Sequence, residues 1–315
     1  MSEMYFEVAG ITVNPLIPPL VAFIISVFTS TGGVSGAFII LPFQVSVLGF
    51  TSPAVSATNQ LYNVVAIPSG VYRYIREGRM VWPLTWIVIA GTLPGVLIGA
   101  LVRINYLSNP SSFKVFAGFV LLYIGFRILR EILSRKKPKT LEAEQKFNEI
   151  VKNLRAEHSK AKLPKAKVLR FNLNVLEYEF VGERFNVKTI PIFLISSIVG
   201  IVGGIYGIGG GAIMAPIYVT FFNLPVYTVA GPALMGTFIT SVFGVIIYQI
   251  LAIFYPTMSI APDWKLGILF GIGGLIGMYV GARLQKYLPA KTIKLILAIA
   301  ILFLGFRYVL NIIWK

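Results

Sequence analysis

The sequence contains no cysteine and a single histidine, His158. Disulfide bonds, thiolate metal sites and cysteine redox centres are therefore excluded, and a histidine cluster that holds a metal is excluded with them. The sequence also lacks the phosphate-binding patterns GxxxxGKS and GxxxxGKT and any Ser/His/Asp set. We therefore expect neither ATP hydrolysis nor another enzymatic activity, and no cofactor.

Charged residues are scarce as well, at 13% of the chain, whereas soluble domains carry about a quarter. Apolar residues are abundant, at 56%, and the mean hydropathy is +0.79. This composition is typical of a multi-pass protein of the cell membrane. Apolar segments stand at 15–31, 33–49, 53–74, 81–102, 112–133, 189–206, 209–224, 227–254, 264–284 and 291–313.

Four of these segments are shorter than the about 20 residues that a membrane-spanning helix needs. They form two pairs, 15–31 with 33–49 and 189–206 with 209–224, and a glycine-rich break joins the members of each pair. Each pair either crosses the membrane fully or turns back near its midplane as a re-entrant hairpin. The other segments, including 53–74, are long enough to cross as single helices.

The net charge of +16 is spread in a way that indicates membrane orientation. Between 135 and 188, fourteen Lys and Arg residues stand against seven Asp and Glu, and most other basic residues flank apolar segments. Because basic loops stay in the cytoplasm, the N-terminus is expected outside and residues 135–186 form a basic cytoplasmic linker. This distribution gives no reason to expect nucleic-acid binding.

The linker itself divides into two parts. Residues 139–162 alternate Lys and Glu at helical spacing, which predicts a solvated amphipathic helix. Residues 168–188 alternate polar and apolar side chains, which predicts a short β-hairpin with its turn near Gly182.

The two apolar halves of the chain are related by an internal repeat. The offset is 174 residues over most of the match and 180 to 182 residues towards the end. It aligns Gly33, Gly36, Pro42, Gly70, Tyr74, Gly91, Gly95 and Gly99 with Gly207, Gly210, Pro216, Gly244, Tyr248, Gly273, Gly277 and Gly281. The repeats are 1–134 and 187–315. Five crossings in each would insert the halves with opposite orientation, a plan that recurs among secondary transporters.

Two glycine-rich breaks occupy equivalent places in the repeats, at 32–36 and 207–211. Bare backbone at a helix break exposes N–H groups, and the positive end of a helix favours an anion. We expect seven residues to shape a binding site through their backbone, namely Gly33, Ser35, Gly36, Gly207, Gly209, Gly210 and Gly211. The alternative is that these glycines only permit close helix crossing, which is the role expected for the glycines spaced four apart at 91–99 and 273–281.

Polar side chains lie in the middle of two of the long apolar segments. The residues are Asn59, Gln60 and Asn63 in the first repeat, and Thr237, Thr240 and Ser241 in the second. Buried amides and hydroxyls are costly without partners, so both sets should face the protein interior. They either line a polar path for a substrate or hydrogen-bond neighbouring helices.

Carboxylates are absent from the middle of every apolar segment. The acidic residues outside the linker are Glu3, Glu7, Glu77, Glu131 and Asp263, which lie at segment ends or beyond them. A carrier of divalent cations, or one with a central proton relay, would normally place a carboxylate in the membrane. The pattern therefore favours an anion. Arg127 and Arg307, which lie near helix ends, are expected to snorkel towards water.

The run GIGGG at 207–211, Pro216 behind it, two inverted halves and a soluble middle together resemble the sulfite exporter TauE/SafE family of membrane permeases. The likeness covers about 15–133 and 187–313, and the first break departs from the triple glycine at Ser35. The resemblance implies transport of small sulfur-containing anions such as sulfite or organosulfonates.

We therefore predict an all-α integral membrane protein with an inverted 5+5 repeat of about ten crossings. Its expected function is secondary transport of a small anion by alternating access between the repeats. A passive anion channel and a non-transporting membrane scaffold are the alternatives. The expected partners are the anion and the lipid bilayer, and a homo-oligomer is compatible with this plan.

Overall fold

A computed structural model describes residues 3–31, 35–133, 138–156, 164–284 and 290–313. Most of these residues are helical. In the first half the helices are α1 Ile17–Thr31, α2 Ala37–Ser46, α3 Ala54–Ala66, α4 Pro68–Arg76, α5 Trp82–Asn105 and α6 Pro110–Leu133. The linker and the second half hold α7 Pro138–Ala156, α8 Thr189–Tyr206, α9 Gly211–Phe221, α10 Val226–Phe254, α11 Trp264–Leu284 and α12 Ala290–Ile313.

Five of the described helices are long and apolar enough to cross a membrane by length and composition, namely α5, α6, α8, α10 and α11. Shorter apolar helices cover Ile17–Ser30, Ala37–Ser46 and Leu295–Leu310 among the described residues. The protein is therefore a mostly helical, multi-pass membrane protein.

The segment 53–74 does not form the single helix that its length predicts. It divides into α3 and α4, with Ile67 between them. The reason is Pro68, which has no N–H to donate to the preceding turn but suits the first turn of a new helix. Helical hydrogen bonding extends up to the break, because the N–H of Ile67 still donates to the carbonyl of Asn63, at 3.0 Å. The polar residues of this segment consequently lie on α3, which has 13 residues.

Two small sheets accompany the helices, one near the N-terminus and one in the linker. The strands are β1 Met4–Phe6, β2 Ile11–Val13, β3 Lys167–Phe171, β4 Val175–Phe180 and β5 Glu183–Lys188. β1 and β2 form an antiparallel hairpin near the N-terminus, and Phe6 is buried beneath it. The predicted linker hairpin is confirmed as β4–β5, with Gly182 at φ +81° in its turn. It is extended by β3, which pairs antiparallel with β4.

The linker packs against the start of α10. The carboxylate of Glu144 on α7 accepts the N–H of Val226 at 3.1 Å, and the hydroxyls of Tyr178 and Thr228 lie 2.8 Å apart. Tyr178 lies in the sheet. Burial raises the pKa of its phenol, and the hydrogen bond to Thr228 lowers that pKa. Burial dominates, so the pKa is well above its ordinary value. These contacts fix the linker to the helix that carries Thr237, Thr240 and Ser241.

The membrane helices pack in a paired arrangement. α1 lies along α11, α5 lies along α8, and α6 lies along α12. The glycines spaced four apart face these contacts. A β-carbon on Gly277 of α11 would lie 3.0 Å from the Cα of Phe23, and one on Gly95 of α5 would lie 2.8 Å from the backbone nitrogen of Ile201. The packing role predicted for both glycine sets is therefore confirmed.

Gly95→Ala tests how tight this crossing is. In a helix without close neighbours, alanine would stabilise the protein by about 1 kcal/mol relative to glycine. Here the added methyl meets the backbone of α8, and we expect a loss of about 1–3 kcal/mol, as for overpacked cores. Thermal unfolding in detergent measures the change.

The matched control is Gly70→Ala on α4. Its β-carbon would meet only the flexible ends of Leu234, at 2.8 Å, and Met278, at 3.7 Å. We expect a small effect there. A rise in unfolding temperature for Gly95→Ala would contradict close packing of α5 on α8.

Candidate functional site

The polar residues of α3 lie at the centre of the protein. Asn59, Gln60 and Asn63 are each completely buried, as are Ser56 and Thr58 on the same helix. α3 packs against α2, α10 and α11 and touches α8. Because α10 carries the second polar set, the fold brings the polar segments of both halves together.

The second glycine break is a left-handed turn between α8 and α9. Gly207, Gly209 and Gly210 have φ of +81°, +66° and +87°, which residues with a β-carbon rarely adopt. The N–H of Gly207 closes α8 by donating to the carbonyl of Gly203 at 2.8 Å, and α9 begins at Gly211. The predicted interruption of helix is confirmed here.

The first break is described only from Ser35 onwards. Gly33, which we expected to shape the site, lies outside the described residues. Ser35 is buried, and Gly36 precedes α2. A β-carbon on Gly36 would lie 2.9 Å from the hydroxyl of Tyr62, so this glycine permits a close approach of α3.

Asn59 joins the two breaks. Its side-chain Nδ2 donates to the carbonyl of Ala37, at 3.0 Å, and to the carbonyl of Gly207, at 3.1 Å. Ala37 is the first residue of α2, and Gly207 ends α8. The Oδ1 of Asn59 accepts a longer bond from Gln44, at 3.4 Å. One amide therefore holds both glycine-containing turns against α3.

Two further contacts are equivalent in the two repeats. Ser35 donates its hydroxyl to the Oδ1 of Asn63 at 2.6 Å. The residues 174 positions later are Gly209 and Thr237, and a β-carbon on Gly209 would lie 2.8 Å from the methyl carbon of Thr237. Each break therefore touches the polar helix of its own half at the corresponding position.

Several buried polar atoms around these contacts have no hydrogen-bond partner among the described residues. They are both amide atoms of Gln60, the Nδ2 of Asn63, the Oε1 of Gln44 and the hydroxyl of Ser241. Gln60 points at Gly244 of α10, and Ser241 lies beside Gly209. Three of these groups can donate a hydrogen bond, and the two amide oxygens can only accept one. Because buried polar groups are normally paired, such a set of unpaired polar atoms indicates a place for a polar ligand or water.

Thr237 and Thr240 differ from these residues. Thr237 donates to the carbonyl of Ala233 at 2.9 Å, within α10. The hydroxyl of Thr240 lies 2.8 Å from that of Thr92 on α5. Hydrogen bonding within and between helices, the alternative left open for these side chains, is present at both residues.

Carboxylates take no part in the described site. Asp263 lies just before α11 and accepts the N–H of Leu266 at 3.0 Å. Glu77 follows α4 and accepts hydrogen bonds from Arg73, at 2.7 Å, and Arg79, at 3.1 Å. Burial raises the pKa of Glu77, but its two arginine partners outweigh burial and hold that pKa below its ordinary value. The described residues hold no group of three His, Cys, Asp or Glu that could bind a metal.

Sequence reasoning missed the role of Arg103. This side chain is completely buried at the end of α5, where it donates to the hydroxyl of Ser56 at 3.3 Å and to the carbonyls of Thr51, Ser52 and Leu107. Ser56 donates in turn to the carbonyl of Ile205, at 2.7 Å, just before the second break. The signal in the sequence was a basic residue directly after the apolar segment 81–102.

The expectation that Arg127 snorkels is wrong. Arg127 is 8% exposed and donates to the carbonyl of Pro216 and to the hydroxyl of Thr220, the latter at 2.9 Å. Both acceptors lie on α9, where Pro216 cannot donate a backbone hydrogen bond of its own. Arg127 therefore braces α6 against the helix that follows the second break.

Arg103→Met should destabilise the protein, and it leaves the unpaired side chains of Gln60, Asn63 and Ser241 unchanged. The methionine would leave three partly buried carbonyls unpaired, each at about 1 kcal/mol, so a loss on the order of 3 kcal/mol is expected. Chemical unfolding in detergent measures it. Arg307→Met, at an exposed position of α12, is the control and should be close to neutral. Equal stability of the two variants would contradict a bracing role for Arg103.

Comparison with known proteins identifies related sequences. A family model described as "Sulfite exporter TauE/SafE" matches residues 19–308. The chain is 22% identical over 282 residues to the probable membrane transporter protein YunE of Bacillus subtilis, covering 87% of this chain and 89% of that protein.

Two further relatives match over less than half of either chain. A probable membrane transporter protein of Haemophilus influenzae is 31% identical over 126 residues, which is 39% of this chain and 44% of that protein. Probable membrane transporter protein MJ0441 of Methanocaldococcus jannaschii is 31% identical over 121 residues, covering 38% and 42%. No solved structure matches.

Proposed function

Because the chain belongs to the sulfite exporter TauE/SafE family of membrane permeases, we propose that it is a secondary transporter of a small anion. The anion is sulfur-containing, such as sulfite or an organosulfonate. That part of the proposal rests on the family description. The preference for an anion rests on the chemistry of the buried site.

The observation that carries the proposal is the set of unpaired donors where the two halves meet. The amides of Gln60 and Asn63 and the hydroxyl of Ser241 can each donate a hydrogen bond. The first N–H groups of α9 have no partner within the helix, and the helix dipole adds partial positive charge there. Sulfite and sulfonate groups present three oxygen acceptors, which such a set of donors suits.

We further propose that the membrane part is an inverted 5+5 repeat of about ten crossings. Residues 1–134 and 187–315 form the repeats. The packing supports this plan. In the proposed repeats α1 corresponds to α8, and α5 corresponds to α11. The contact of α1 with α11 is therefore equivalent to the contact of α8 with α5. The equivalent contacts of Ser35 with Asn63 and of Gly209 with Thr237 support it as well.

Alternating access between the repeats is the transport mechanism that we propose for this arrangement. Asn59 holds both breaks together, so a substrate between them contacts both halves at once. A small rotation of one half against the other would expose that substrate to either side. The distribution of basic residues supports a cytoplasmic position for residues 135–186 and an outside position for the N-terminus.

Anion flux into liposomes tests the proposal. Purified protein is reconstituted, and the uptake of sulfite, sulfate, thiosulfate and taurine is measured against protein-free liposomes. A secondary transporter gives flux that saturates and that a substrate gradient from the opposite side accelerates. A channel gives flux without saturation, and a scaffold gives none. Absence of flux for every anion under every gradient would overturn the proposal.

A further inference from the structure

The turn between β3 and β4 is fixed at the start of a membrane helix. Thr189, the first residue of α8, donates its N–H to the carbonyl of Asn174 at 3.1 Å. Its hydroxyl donates to the carbonyl of Asn172 at 2.9 Å. Leu173 lies between these two acceptors in the chain. The turn therefore sits beside the first residue of α8.

The residues on either side of Thr189 set its level in the membrane. Lys188 is charged and exposed, and Ile190 begins the exposed apolar surface of α8, which has 18 residues. A membrane helix whose surface changes from charged to apolar at its first residue enters the hydrocarbon core at that point. Asn172 to Asn174 must then lie at that boundary too.

The side chains around the turn are apolar and uncovered. Leu173 is 84% exposed and Phe171 is 49% exposed. Phe171 pairs with Leu176 across the sheet, and Val168 pairs with Tyr178. Both partners on β4 are completely buried, whereas Val168 and Phe171 are not. The apolar face of the sheet is thus covered by protein at β4 and left bare at β3.

Lipid fits this bare face better than a soluble partner. Ile190 and Leu194 on α8 are exposed and apolar, so the uncovered residues of β3 continue the apolar surface of a membrane helix. The sheet carries four basic residues, Lys167, Arg170, Arg184 and Lys188, against the three acidic residues Glu177, Glu179 and Glu183. With charges so nearly balanced, apolar burial rather than attraction to anionic lipid must supply the contact.

We propose that the β3–β4 turn, with Phe171 and Leu173, inserts into the headgroup boundary of the same bilayer that α8 crosses. The linker is then held at two places, by lipid at this turn and by protein at the start of α10. This inference does not depend on transport. It follows from the position and the surface of the linker sheet.

Because the chain has no cysteine, one engineered cysteine gives one labelled position. Leu173→Cys in the full-length protein is labelled with an environment-sensitive fluorophore and reconstituted in phosphatidylcholine vesicles, with or without phosphatidylglycerol. Lipids that carry a spin label near the headgroup quench fluorophores that reach this depth. Arg184→Cys is the control, since Arg184 is exposed at the opposite end of the sheet.

We expect blue-shifted emission and strong quenching at position 173 in both kinds of vesicle, and neither at position 184. A second substitution, Phe171→Asp, should lower the ratio of inserted to free turn about tenfold, since a buried Phe contributes at least that much. Emission at 173 typical of water, or quenching equal at 173 and 184, would overturn the proposal. So would a blue shift without lipid quenching, which would indicate a protein partner. Quenching at 173 confined to vesicles with phosphatidylglycerol would also overturn it.

Discussion

Gly209→Ala is expected to abolish anion uptake by proteoliposomes, while Gly49→Ala leaves it close to the wild-type rate. Both glycines have left-handed backbone, with φ of +66° and +76°. Alanine therefore costs each about 1–2 kcal/mol of backbone strain. The surroundings differ, because a β-carbon on Gly209 would lie 2.5 Å from the hydroxyl oxygen of Ser241, whereas one on Gly49 would have nothing within 4 Å.

A further comparison within the break sharpens this result. Gly210 also has a left-handed φ, of +87°, but its β-carbon would first meet Val199, at 3.3 Å. Gly210→Ala should therefore keep more activity than Gly209→Ala. The sequence analysis placed both glycines among the seven residues expected to shape the binding site. Wild-type flux by folded Gly209→Ala would remove the second break from the site.

Asn59→Leu is expected to lower the free energy of unfolding far more than Asn63→Leu, although both should stop uptake. Leucine at 59 leaves the carbonyls of Ala37 and Gly207 buried and unpaired, each at about 1–3 kcal/mol. The Nδ2 of Asn63 has no partner among the described residues, so Asn63→Leu loses one hydrogen bond of the fold, the one from the hydroxyl of Ser35. Leucine at 63 also removes a donor to the substrate.

Chemical unfolding in detergent, together with uptake assays, separates these two roles. Asn63→Leu should unfold at a denaturant midpoint between those of the wild type and Asn59→Leu, and it should show no saturable uptake. Asn59→Leu should unfold at clearly lower denaturant, if it can be purified at all. If Asn63→Leu transports normally, its amide is an interhelical contact and does not line the site.

Much of the architecture follows from local sequence. Long apolar runs predicted α5, α6, α10, α11 and α12, and consecutive glycines predicted the break that ends α8 at Tyr206. Four-residue glycine spacing predicted the close helix crossings. These features could be predicted because each depends on residues near one another in the chain.

The rest depends on contacts between distant residues or on very short elements. Pro68 was a visible signal that the segment 53–74 divides into two helices. We nevertheless predicted a single helix, because the segment is long enough to cross the membrane as one. β1 and β2 have three residues each, too few for a period-two pattern to be read. The burial of Arg103 depends on carbonyls near residue 51 and on Leu107, which only the folded chain brings together. Which amides stay unpaired could not be predicted either.

A crystal structure with bound selenite tests the central claim most directly, because selenite replaces the sulfur of sulfite with a heavier, anomalously scattering atom. We expect one selenium peak between the Ser35–Asn63 contact and the Gly209–Thr237 contact, with the selenite oxygens within hydrogen-bond distance of Asn63 and Ser241. Selenium bound only elsewhere, such as beside Arg103 or Arg127, would contradict it.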